Sequence, residues 1–132
     1  FNAPIDDVVK HDGGALTAFR LRDKNGGTVW TGGSFRSATG ALQVFDNDAV
    51  QFTPQRVWQS PATQARYPVA WSVQTPAGAF TVRSLLDDQE LDSRSSTGAV
   101  YWEGVSELLD AKGQVVGRGY LEMTGYAQPL RL

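Results

Sequence analysis

Turn signals recur along this 132-residue chain at intervals too short for helices. They include Asp12-Gly13-Gly14, Lys24-Asn25-Gly26-Gly27, Gly32-Gly33, Ala38-Thr39-Gly40, Asp46-Asn47-Asp48, Pro76-Ala77-Gly78, Ser96-Thr97-Gly98 and Lys112-Gly113. Between them lie alternating segments: ALTAFRLR, TVWTGGSFR, VQFTPQRVW, YPVAWSV, AFTVRSL, AVYWEGVSELL and VVGRGYLEMTGY. In ALTAFRLR, Leu16 is set apart from Phe19 and Leu21, and Arg20 and Arg22 fall on the face opposite those two. No segment carries a 3.6-residue period over a helix-long window. Residues 60–66 read as a loop or one short helical turn. About eight strands at roughly 8–12-residue spacing, joined by glycine-bearing hairpins, predict an all-β antiparallel meander. So many strands in so short a chain must protect their edges, and closure into an up-and-down barrel does that directly. A two-sheet sandwich is the competing architecture. It is less favoured because the strands follow one another by tight hairpins, without the long returns of a Greek key.

Length predicts one domain, residues 1–132. A net charge of −2, from 12 basic and 14 acidic residues, gives no field for a nucleic-acid partner. No apolar run approaches the roughly 20 residues of a membrane-spanning helix. With no cysteine and one histidine, His11, the chain has no composition for a zinc site, and neither a metal nor a cofactor is expected. His11 sits in HDGG and reads as a hairpin-turn residue; as a general base it has no neighbouring serine. The start at Phe1, without methionine, is expected of a processed product or a piece of a longer chain.

Residues 66–126 are unusual for strands. Trp71, Tyr101, Trp102, Tyr120 and Tyr126 share them with Glu103 and Glu122, a mixture that core packing alone does not require. Alternation puts Tyr101 and Glu103 on one face, Trp102 and Gly104 on the other, and groups Tyr120, Glu122 and Thr124. The two strands are consecutive and should pair, bringing Glu103 near Glu122 with Arg83 and Arg118 at hand. A carboxylate among aromatics can act as a general acid or orient a head group. The same residues can equally form a structural polar layer, since buried charges are paired whether or not they act. Trp71 and Trp102, with Tyr101 and Tyr120, are candidate ligand contacts, and for the two tryptophans ordinary core packing is as good an explanation. Gly104, Gly117, Gly119 and Gly125 are expected at bends, bulges or close approaches. The acidic run Asp87, Asp88, Glu90 and Asp92 lacks calcium-loop spacing and reads as a solvated connection.

RYPVAW, DQEL, YWEG and GRGYLEMTGY, with HDGG and Trp58-Gln59-Ser60-Pro61 upstream, resemble the carotenoid hydratase family and its AttH-type relatives, also described as predicted secreted hydrolases. The similarity runs along nearly the whole chain. It implies a lipocalin-like barrel, the second of two consecutive barrels in a longer parent, in a secreted or periplasmic bacterial protein. The family's hydratases protonate an isolated alkene and add water to the cation, and related fungal proteins guide polyene cyclisation. The shared ligand is a polyene or lipid-like molecule held between or inside barrels.

Two functions from different classes follow as expectations. One is a binding module that holds, or helps to hold, an apolar small molecule without catalysis of its own. The other is half of a hydratase- or hydrolase-like enzyme, completed by an N-terminal barrel, with Glu103 and Glu122 as its candidate acids. Cut from such a parent, the chain is expected to use the face left open in a homodimer.

Overall fold

The computed structural model describes residues 5–127 apart from 11–12, 24–26, 47 and 97, and for 5–10 the backbone alone. The turn containing His11 lies outside the described residues. Ten strands form the fold: β1 (Ile5–Lys10), β2 (Ala15–Arg22), β3 (Thr28–Arg36), β4 (Leu42–Phe45), β5 (Gln51–Gln59), β6 (Arg66–Thr75), β7 (Gly78–Ser84), β8 (Glu90–Ser93), β9 (Ala99–Leu109) and β10 (Val115–Thr124). All pairings are antiparallel, and the described residues contain no helix. The segment at 60–66 is a turn closed by Gln64, whose φ is 65°.

The ladder runs β4-β3-β2-β1-β10-β9-β7-β6-β5, with β8 beside the first part of β9. Pairing of β1 with β10 joins the chain's two ends, so the strands follow sequence order around a circle. That is the up-and-down arrangement expected from the hairpins. Among the described residues no ladder joins β4 to β5. Two features of the sequence account for the gap. β4 is four residues long, and β5 carries Pro54, which has no N–H to donate and is tolerated at a sheet edge. Register shifts on both sides of Arg56 bend β5 further. Side chains close the circle instead, since Phe45 before the gap and Val50 after it are both buried in the single core cluster.

That core is solid. Leu16 and Ala18 of β2 meet Tyr67, Val69, Trp71 and Val73 of β6, Val82 of β7, Trp102 and Leu108 of β9, and Leu121 and Met123 of β10, all fully buried. Strict alternation in β9, with Val100, Trp102, Gly104, Ser106 and Leu108 inside, is what one buried face demands.

The segment between β7 and β9 is not the solvated connection expected from its charge. The Asp87 carboxylate accepts two bonds from Arg56, at 2.6 and 3.0 Å, and one from Ser84 Oγ at 2.7 Å. Its backbone carbonyl accepts the Trp102 indole N–H at 2.7 Å. Gln89 lies across β9, accepting the amide of Val105 on Oε1 at 3.1 Å and that of Glu103 on its backbone carbonyl at 3.3 Å. Gly104 makes room for it: a Cβ there would stand 2.1 Å from the Gln89 amide carbon. The acidic run is thus a strap seated on the barrel.

Candidate functional site

Glu103 and Glu122 are direct cross-strand partners, flanked by the pairs Tyr101–Thr124 and Tyr120–Val105. Alternation sets all of these on the outer face of β9 and β10, where Tyr120 is half exposed and Tyr101, Glu103 and Glu122 are partly covered. Opposed like charges on adjacent strands are unfavourable unless other groups offset them. The arginines expected beside them lie nearer Glu107 in the ladder. Arg83 forms an ion pair with Glu107, and Arg118 is the register partner of Glu107.

Trp71 and Trp102 sit on the opposite, inner face with no exposure. The structure therefore does not gather the four aromatic candidates into one pocket. Tyr101 and Tyr120 face out, while the tryptophans are packed among Val69, Val73, Leu108 and Leu121.

A polar network missed by the strand pattern crosses the interior. The Glu90 carboxylate accepts Ser60 Oγ at 2.6 Å, Thr63 Oγ1 at 2.7 Å and Tyr67 Oη at 2.6 Å. Burial pushes this carboxyl up, but the three hydroxyl donors outweigh it and hold Glu90 below its ordinary value. Burial, reinforced by Glu90, drives the Tyr67 phenol well above its ordinary range. Ser60 and Glu90 come from QSP and DQEL, two of the sequence signatures noted above, and their meeting explains why such unlike stretches belong together. Tyr67 stacks on Trp58 with centroids 6.2 Å apart and touches Tyr126 at 5.8 Å. Arg22 lies 3.7 Å above the Tyr126 ring, and Arg20 lies 4.9 Å above Trp71. Burial, chiefly, lowers the Arg22 pKa; Tyr126 opposes the shift and Arg20 adds to it. One sequence signal for this layer was available: Arg20 is in phase with Leu16 and Ala18, and thus on the core face.

The reverse face of β2 carries its aromatic ring, Phe19, and Leu21. Phe19 packs on Trp30 at 4.8 Å between centroids, and both rings lie over Gly32, where a Cβ would be 3.1 Å from Trp30. With Val44 and the backbone of Gly33 they line a groove of about 570 Å³ on the outside of β2, β3 and β4. Leu42, two residues from Val44 on the same strand face, extends it as an exposed apolar side chain. No helix of the described residues is long and apolar enough to cross a membrane, and no three of their acidic or histidine side chains cluster as metal ligands.

Comparison with known proteins agrees with this architecture. A putative AttH protein of Nitrosomonas europaea is 46% identical and superposes with a TM-score of 0.84, over 95% of this chain and 40% of its own. Kievitone hydratase of Nectria haematococca shares the fold at a TM-score of 0.69 and 21% identity, over 96% of this chain and 40% of its own. The chain thus spans well under half the length of each. None of the curated proteins matches it. The family described as AttH-like matches residues 10–126, nearly all of the ten-stranded meander, and the chain belongs to that family.

Proposed function

We propose that this domain helps to bind an apolar, polyene- or lipid-like molecule on the outer groove of β2, β3 and β4, without catalysis of its own. The observation that carries the proposal is the contrast between the two faces. The apolar core between β2, β6, β7, β9 and β10 is filled by side chains of zero exposure, whereas the Phe19–Trp30 pair and Val44 leave an apolar hollow of about 570 Å³ outside. That volume falls within the roughly 300–1,000 Å³ of ordinary ligand pockets. Lengths of the two structural relatives support a second domain beside this one, whose contribution would complete the groove. Retinol serves as an apolar probe through its own fluorescence. We expect it to bind, and Val44→Asp, a change at an exposed position, to weaken binding at least about tenfold by placing a charge in the apolar hollow. Absence of binding, or binding indifferent to Val44→Asp, would contradict the proposal.

A second reading, half of a hydratase, is favoured by the cross-strand pairing of Glu103 and Glu122 beside Tyr101 and Tyr120. Its test is alkene hydration by the full-length parent carrying Glu103→Gln or Glu122→Gln. Unchanged turnover in both removes these carboxylates from the chemistry.

A further inference from the structure

Arg20 occupies a place in the barrel that an arginine takes only at a cost. Its side chain points inward from β2 and the residue is 9% exposed. A guanidinium keeps its charge when buried, and such a charge is tolerated when an anion or several good acceptors meet it. Among the described residues no carboxylate forms an ion pair with Arg20. Its partners are the Trp71 ring at 4.9 Å and, from Nη2, a long bond to Tyr126 Oη at 3.5 Å. Arg20 Nε has no protein partner at all.

Two further buried polar atoms in the same region share this condition. Thr31, the register partner of Arg20 on β3, is 4% exposed and its Oγ1 has no protein partner. Trp71, whose ring underlies the guanidinium, has no partner for Nε1. Arg22 Nε, on the neighbouring guanidinium, is a fourth. Buried polar atoms in native proteins are nearly always bonded, so this group of orphans around Arg20 and Arg22 marks a place where something else binds.

A cavity of about 240 Å³ opens there, lined by Arg20 and Thr31 on one side and by Val50 and Phe52 on the other. Phe52 meets Trp71 edge-on at 6.1 Å, which gives the cavity an aromatic wall. Asp48 stands at the exposed rim and supplies the lining's carboxylate, and a second guanidinium, that of Arg22, lies close enough to feel the charge of Arg20.

We propose that this cavity binds the carboxylate of a small organic acid. Arg20 lines the cavity, and a guanidinium edge offers two N–H donors whose fork matches the two carboxylate oxygens; a small rotation of Thr31 would add its hydroxyl as a further donor. Val50 and Phe52 enclose a short apolar body, which is why an organic acid suits the cavity better than an inorganic oxyanion. The volume is below that of a drug-sized pocket, so it takes a short acid whole or the head of a longer amphiphile. This site is inside the barrel and distinct from the outer groove; Val44→Asp leaves it untouched, so the two proposals fail separately.

Calorimetric titration of the 132-residue protein with hexanoate, hexanol and inorganic phosphate tests it. Hexanoate is expected to bind at millimolar or lower concentration, with hexanol and phosphate each at least about tenfold weaker, as the loss of a charge-assisted bond implies. Arg20→Gln should weaken hexanoate by a similar factor, and Thr31→Val, which keeps the side-chain shape, should weaken it less. Asp48→Asn should tighten it by removing a like charge at the rim. With the outer groove closed by Val44→Asp, dodecanoate binding more tightly than hexanoate assigns the site to amphiphile heads, and its refusal assigns it to free short acids; both support a carboxylate site. Equal binding of hexanoate and hexanol, equal binding of phosphate, or no binding of any overturns the proposal. Hexanoate affinity unchanged in a folded Arg20→Gln protein also overturns it, and Thr31→Val together with Asp48→Asn decides the matter if Arg20→Gln does not fold.

Discussion

Trp102 shows how one side chain can join two parts of the molecule. Its ring fills the core while its indole N–H reaches the Asp87 carbonyl, so the strap is tied to the packed interior. Trp102→Ala removes both contacts, and we expect a loss of about 3–5 kcal/mol in denaturant unfolding. A loss below about 1 kcal/mol would mean the ring is not core-packed. Glu90 is the second such residue. Its folded pKa lies below the ordinary 4.5, so the unfolded chain binds more protons over the acid range. Its contribution is therefore complete above the unfolded value and is lost as pH falls through the folded one. Asp87, held low by Arg56 first and also by Ser84, acts in the same direction. Glu90→Gln should cost about 1–3 kcal/mol at neutral pH and flatten the acid limb of a plot of Tm against pH. An acid limb of unchanged steepness would contradict this assignment.

At the scale of elements, much was legible in the sequence. TVWTGGSFR and AVYWEGVSELL coincide with β3 and β9, because alternation and flanking turns mark strands buried on one face. Other elements left no such mark. IDDVVK has no alternation, yet β1 pairs on both sides, since backbone bonding requires no side-chain pattern. β8 hid in an acidic run because Glu90 turns to hydroxyl donors that lie some thirty positions earlier. Arg20 and Phe19 were readable as opposite faces, but which face was inside depended on Leu16 and Ala18, and the stronger apolar residue lies outside. The tight crossing of β2 and β3 also rests on one position. A Cβ at Gly33 would lie 2.1 Å from the Thr17 carbonyl oxygen, a backbone atom that cannot swing away. Gly33→Ala should cost about 1–3 kcal/mol, and more if the strands cannot part. Stability equal to the parent's would show that β2 and β3 do not pack this closely.

Across the whole molecule, the barrel keeps its polar residues partly inside and part of its apolar surface outside. Phe19, Trp30, Leu42 and Val44 form the kind of exposed patch that finds a partner, whether a ligand, a neighbouring domain or a second copy. Without either of the first two, we expect the chain to dimerise at tens of micromolar in sedimentation velocity, and Val44→Asp to restore the monomer. A monomer without the substitution would count against the patch as an association surface. Binding at this outer face is the central claim, and nuclear magnetic resonance of the labelled protein titrated with retinol tests it most directly. The account predicts shifts confined to Phe19, Trp30, Ser34 and Val44, with Trp71 and Trp102 unmoved. Shifts at the two interior tryptophans and none at Trp30 would contradict it.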